Sequence, residues 1–184
     1  MIRHLDFLFA LFGLLFLCPV LLLVTMLSYF DTKSPIFCQM RVGKNQKPFM
    51  LIKFRTMTPE TASVATHLAS ASSVTKFGVF LRKTKLDELP QLINVLKGDM
   101  SLVGPRPCLF NQKELIKARE KNSVFDVLPG ITGLAQVHAI DMATPKKLAA
   151  WDRRMIEMMS VKNYLILIMQ TVTGSGSGDK IKNS

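Results

Sequence analysis

Phe7 to Phe30 reads FLFALFGLLFLCPVLLLVTMLSYF, 24 residues without a charge between Asp6 and Asp31. A straight helix of that length measures about 36 Å, enough to cross a hydrocarbon core of roughly 30 Å. A secretory signal is a poor reading, because the apolar run is too long and no small-residue cleavage site follows it. A buried core helix is a poor one as well. A chain of 184 residues has little with which to cover a segment apolar on every face. The stretch is expected to be a membrane element.

Pro19 stands near its middle. Proline removes one helical hydrogen bond and clashes with the carbonyl four residues back, here Leu15, so a kink is expected. Each arm is then about 12 residues, or about 18 Å, which reaches the mid-membrane and returns. Arg3 precedes the segment, and the other 23 of the 24 basic residues follow it. The positive-inside rule therefore pulls both flanks toward the cytoplasm. A re-entrant helix satisfies both flanks; a kinked spanning helix, the alternative, satisfies one.

Beyond this element the chain carries enough residues for one small domain. The balance of 24 Lys+Arg against 13 Asp+Glu leaves +11, which favours anionic partners: nucleic acid, a lipid surface or a phosphorylated substrate. Cys18, Cys38 and Cys108 form no CxxC or Cys/His pair, and His4, His67 and His138 are as scattered. That argues against a disulfide framework and against zinc.

Residues 36–41 and 49–54 read as two short strands joined by the turn residues of 42–47, a β-hairpin. Gly43-Lys44 is no P-loop, since no glycine lies five residues before it and no strand leads into a helix there. Residues 58–73, rich in Ala, Ser and Thr, read as a flap over a site or as a plain surface loop. Phe77, Phe80 and Leu81 recur at helical spacing before the basic Arg82, Lys83 and Lys85, a helix for a membrane surface or a solvated face. Leu86, Leu89, Ile93 and Leu96 predict one face of the next helix, capped by Gly98. Charged residues 111–122 predict a surface helix, 128–133 a tight loop with two glycines, and 148–159 an amphipathic helix carrying Trp151. Residues 161–172 are apolar but too short to span, so they pack on the domain or lie in the interface.

The chemistry centres on Leu86-Asp87-Glu88-Leu89-Pro90-Gln91 and on Gly104-Pro105-Arg106-Pro107. Proline is tolerated in the first turn of a helix, so Pro90 places Asp87 at or near an N-cap, where free N–H groups favour a carboxylate and any phosphate it meets. An N-cap alone is the commonest role of an aspartate there. Consecutive acids point about 100° apart on a helix and suit two separate tasks, one attacking and one holding a metal. Prolines on both sides hold Arg106, whose guanidinium binds phosphate oxygens as a fork. Lys53 and Arg55, at the end of the second hairpin strand, add two more cations to a diphosphate clamp.

These motifs, with Lys53-Phe54-Arg55-Thr56-Met57, Asn94 to Met100 and Pro129 to Val137, resemble the bacterial monotopic phosphoglycosyl transferases. The resemblance covers nearly the whole chain. It implies that Asp87 attacks the β-phosphate of a UDP-sugar and expels UMP, and that polyprenyl phosphate then displaces the phosphosugar from the aspartate. It implies Mg²⁺ on Glu88, substrate contacts from Lys53, Arg55, Arg106, Gln136 and Asp152, and Ser160 and Thr171 in step behind Asp152. It also implies the re-entrant helix kinked at Pro19, in the inner membrane, with the catalytic domain on the cytoplasmic face. Three departures stand out: Cys18 where the family commonly has Ser before the kink proline, His138-Ala139-Ile140-Asp141 where a Gly-Arg pair often follows Gln-Val, and Tyr164-Leu165 where an Asp-Leu pair is common.

The sequence thus predicts a mostly helical α+β fold. It divides into a re-entrant membrane helix over 1–32, a catalytic domain over 33–173 with a β-hairpin and amphipathic interfacial helices, and a flexible tail over 174–184. A membrane-tethered basic module for anionic lipid or nucleic acid is the alternative. The lack of an aromatic-basic stripe or a nucleic-acid motif argues against nucleic acid. The sequence leaves the sugar undetermined and a homo-oligomer open.

Overall fold

The computed structural model describes residues 1–59 and 73–174. Most of the stretch read as a flap or loop, and the tail beyond Gly174, lie outside the described residues. Helix α1 (Ile2–Thr32) continues through Pro19 and ends at Lys33, whose left-handed backbone (φ 57°) turns the chain toward Pro35. Its apolar surface stays largely uncovered: Phe16 is 83% exposed, and Phe12, Leu15, Leu22 and Phe30 also face outward. A core helix of a water-soluble protein would hide these side chains.

One stripe of α1 is covered along much of its length. Arg3 donates to the carbonyls of Val95 (2.6 Å) and Met100 (3.2 Å), and Ala10 packs among Phe49, Leu51, Leu92, Val95 and Met100. Further along, Val20, Leu21 and Val24 meet Phe54, Leu81 and Leu86. At the far end Asp31 accepts the Thr75 hydroxyl at 2.6 Å. Both ends of the apolar helix therefore rest on the same domain.

The expected hairpin is present. Strands β1 (Ile36–Val42) and β2 (Pro48–Phe54) pair antiparallel from Ile36↔Phe54 to Val42↔Pro48 around a 3₁₀ turn, Lys44–Gln46. Strand periodicity sends Phe49, Leu51 and Lys53 to one buried face, so Lys53 follows two core residues inward. Helix α2 (Lys76–Thr84) is capped by Thr75, whose hydroxyl accepts the Gly78 N–H at 2.8 Å.

Helix α3 (Gln91–Lys97) corrects the expected face. It buries Gln91, Leu92, Asn94 and Val95, whereas Ile93 is 41% exposed. A preceding 3₁₀ turn, Leu86–Glu88, shifts the phase of the helix. Asn94 is buried because it serves β2: it donates to the Met50 carbonyl (2.7 Å) and accepts the Ile52 N–H (3.1 Å). Gly98 is left-handed at φ 92° and caps the helix as expected.

The predicted loop around Gly130 is instead strand β4 (Gly130–Thr132), parallel to β3 (Ser101–Val103). The approach is so close that a Cβ at Gly130 would fall on the Gly104 backbone. Around these strands pack α4 (Lys113–Lys121), the short α5 (Leu134–Val137), α6 (Pro145–Glu157) and α7 (Val161–Val172). The fold is α+β and mostly helical, with one long apolar N-terminal helix.

The N-terminal anchor resolves one of the sequence departures. Asp6 is buried, and its Oδ1 accepts the Ser101 hydroxyl (2.9 Å), the Leu102 N–H (2.8 Å) and the Tyr164 hydroxyl (2.8 Å). Burial, the hydrogen bond to Asp6 and its negative charge all push the Tyr164 hydroxyl above its ordinary pKa, so it stays a donor.

Candidate active site

After α2 the chain reverses at Lys85, a left-handed residue at φ 59°, and enters the Leu86–Glu88 turn. Leu86 packs against Phe54 and Leu81, which seats the turn at the end of β2. Asp87 is drawn inward to 5% exposure, while the Glu88 side chain is 15% exposed. Asp87 is not the N-cap of α3. Pro90 holds that position, and the Leu89 and Ile93 amides bond three residues back to Leu86 and Pro90. Because a 3₁₀ turn bridges the proline, the acids sit one short turn ahead of the helix.

Glu88 Oε1 meets Arg106 Nη2 at 2.7 Å. This contact joins the two motifs, 18 residues apart in sequence. Pro105 and Pro107 have no N–H, so the Arg106 loop is fixed through its carbonyls. Four consecutive ones have named donors. Pro105 O accepts Gly130 N (2.9 Å), Arg106 O accepts Arg119 Nη1 (2.7 Å), Pro107 O accepts Arg41 Nη1 (3.2 Å) and Cys108 O accepts Val42 N (2.9 Å).

Arg119 and Arg41 were not singled out in the sequence. Arg119 lies in the helix predicted as surface, yet it is buried and donates through Nε (2.9 Å) to Asp152 Oδ2, with Nη2 also 2.8 Å away. A loop short of two N–H groups signals that outside donors are needed; it does not say which residues supply them. Burial pushes the Asp152 carboxyl up, and the Arg119 charge and hydrogen bond pull it back.

The other predicted residues are distributed unevenly. Lys53 is buried at the end of β2 next to the acid turn, with its ammonium 5.7 Å from the Phe37 ring centre. Arg55 turns toward the start of β1, donating to the carbonyls of Ser34 (2.9 Å) and Ile36 (3.4 Å). Gln136 donates to the Ile131 carbonyl (2.9 Å), and its buried Oε1 has no hydrogen-bond partner among the described residues. Asp152 is enclosed with Arg119, and Thr171 shares a hydroxyl contact with Thr132. Ser160 caps α7 by accepting the Asn163 N–H (3.2 Å).

The segment after Val137 turns at a residue with a side chain. Ala139 is left-handed at φ 56°, a conformation glycine adopts without the Cβ penalty, while Ile140 packs into the core beside Cys108 and Leu115. His138 lies against Trp151 with ring centres 4.8 Å apart, and Arg154 lies 5.6 Å from the same indole.

No group of three or more His, Cys, Asp or Glu side chains could hold a metal among the described residues. Mg²⁺, a hard cation, binds through one or two carboxylates and fills its shell with water and substrate phosphate, and the Glu88 carboxylate, 15% exposed, is a ligand of that kind.

Residues 1–176 match the bacterial sugar transferase family. Similar proteins include the UDP-glucose:undecaprenyl-phosphate glucose-1-phosphate transferase of Caulobacter vibrioides, 37% identical over 84% of this chain and 61% of the relative. The UDP-N-acetylgalactosamine-undecaprenyl-phosphate N-acetylgalactosaminephosphotransferase of Aeromonas hydrophila is 33% identical over 95% of this chain and 44% of its own length. The exopolysaccharide production protein PSS of Rhizobium leguminosarum bv. phaseoli is 35% identical over 94% of this chain and 92% of the relative. Against other curated relatives, from Bacillus subtilis and Haemophilus influenzae, the chain spans 40% to 62% of their length. With a match that runs from the apolar helix through both site motifs to the last helix, the chain belongs to the bacterial sugar transferase family.

Proposed function

We propose that this protein transfers a sugar 1-phosphate from a UDP-sugar to polyprenyl phosphate, releasing UMP, at the start of polysaccharide or glycoconjugate assembly. The observation that carries the reading is the 2.7 Å Glu88–Arg106 contact, which puts an acid pair and a proline-braced phosphate fork in one site. The printed activities of the Caulobacter and Aeromonas relatives support the same substrate classes.

In the first step an Asp87 oxygen attacks the β-phosphorus, the bond from that phosphorus to the bridging oxygen breaks, and UMP leaves with the electron pair. In the second, a phosphate oxygen of polyprenyl phosphate attacks the same phosphorus and the aspartate is restored as a carboxylate. Arg106 and Lys53 bind phosphate oxygens, and Gln136 contributes a further substrate contact. Glu88 would hold Mg²⁺, which when bound would offset phosphate charge. Purified protein given polyprenyl phosphate, Mg²⁺ and a panel of UDP-sugars is expected to release UMP with at least one sugar, and only when both substrates are present in multiple-turnover assays. No UMP with any sugar would refute the reading.

We infer further that α1 is re-entrant in the inner membrane and that the catalytic domain sits on the cytoplasmic face. Support comes from the two ends of α1, which dock on one domain through Asp6 and Asp31 while the apolar surface between them is uncovered. The exposed Leu165, Ile166, Met169 and Val172 of α7 and Val79 and Phe80 of α2 suit the interface. Single cysteines placed near His4 and near Lys33, in a Cys-free background, should react with a membrane-impermeant reagent from the same side. Labelling from opposite sides would establish a spanning helix instead.

A further inference from the structure

We propose that Arg119, held by Asp152, is a positioning residue that sets the aim of Arg106 at Glu88. This inference rests on Arg106 being a phosphate contact, as proposed above, and it gives Asp152 a task other than touching substrate.

Because Pro105 and Pro107 donate no backbone hydrogen bond, the orientation of the loop depends on what holds its carbonyls. Arg106 O, on the residue whose guanidinium meets Glu88, is held by Arg119 Nη1 at 2.7 Å. Arg119 is in turn held by its Nε hydrogen bond to Asp152 Oδ2, with Nη2 at 2.8 Å from the same oxygen but making no hydrogen bond, and both side chains are 2% exposed. A path of short contacts therefore runs from Asp152 through Arg119 and the Arg106 backbone to Glu88.

Burying an ion pair carries a desolvation penalty that its attraction repays only with good geometry, so such a pair is weak evidence for a stabilising role. What this pair supplies is a rigid donor. Its Nη1 reaches the Arg106 carbonyl while Nε holds Asp152, two donors fixed in the plane of one guanidinium. Asp152, enclosed on Arg119, presents almost no surface to a ligand.

A double-mutant cycle tests this, read out by UDP affinity in calorimetry and by kcat for UMP release. Arg119→Gln in the otherwise native protein is expected to weaken UDP binding and lower kcat by about tenfold to a hundredfold, as removal of orienting groups commonly does. In an Arg106→Ala background the same change should cost less than about twofold, since the group it positions is gone. A purely structural residue would lose the same factor in both backgrounds, and that result overturns the proposal. So does an Arg119→Gln protein that binds and turns over like the native one.

Should Arg119→Gln fail to fold, the paired apolar replacement Arg119→Met with Asp152→Leu decides the matter. Swapping a buried ion pair for apolar residues is commonly tolerated. This pair is expected to melt near the native temperature and still show the tenfold loss; native affinity and kcat would refute the positioning role. Native protein that binds no UDP at all would instead remove the phosphate-clamp reading on which the inference stands.

Discussion

Asp87→Asn is expected to abolish UMP release, with a loss of more than roughly 10⁴-fold in kcat, the scale seen when a covalent nucleophile is removed. The asparagine keeps the shape and burial of the 3₁₀ turn, so the thermal midpoint should stay close to native. What disappears is the anionic oxygen that would attack phosphorus. An uncharged amide is a poor nucleophile, and no neighbour replaces it: Glu88 points out to Arg106 at 2.7 Å. UDP affinity should be largely kept, because Arg106 and Lys53 remain. Turnover within tenfold of native would eliminate Asp87 as the attacking group.

The second large effect concerns stability. Asp6→Ala removes the acceptor for three donors at once: the Ser101 hydroxyl, the Leu102 N–H and the Tyr164 hydroxyl. Each buried donor left without a partner costs about 1–3 kcal/mol, so a total of at least about 3 kcal/mol is expected. For a chain of this size that lowers the thermal midpoint in detergent by about 10 °C. Tyr164→Phe should cost only about 1 kcal/mol, since Asp6 keeps its other two donors. A midpoint for Asp6→Ala within 2 °C of native would show that this network does not anchor α1 to the domain.

The same network shows why one departure could not be interpreted from sequence. A carboxylate at position 164 would face Asp6 as a like charge, whereas a tyrosine there donates to it. Nothing near residue 6 or 164 in the sequence indicates that they meet across 158 positions.

Local signals were legible. Alternating apolar residues and the turn chemistry of 42–47 locate the hairpin to within a residue at each strand end, and α7 spans the predicted 161–172. Glu88 and Arg106, one from each motif, meet at 2.7 Å. Features that rest on long-range polar satisfaction stayed hidden. Asn94 is buried because it bonds the β2 backbone, and Arg119 because a proline-flanked carbonyl and an aspartate 33 residues away need its donors. Strands β3 and β4 are three residues each, too short to show a period. The face predicted for the helix at Leu86 fails for a related reason: Pro90 splits it into a 3₁₀ turn and an α-helix with different phases.

In the proposed reaction the phosphosugar passes through a covalent bond to Asp87. Intact-protein mass spectrometry of native enzyme, mixed with Mg²⁺ and its UDP-sugar but no polyprenyl phosphate, tests this most directly. A mass increase equal to one sugar phosphate is expected, mapped to Asp87, absent in Asp87→Asn and accompanied by no more than one UMP per protein. UMP formed only after acceptor is added, with the protein mass unchanged throughout, would contradict it.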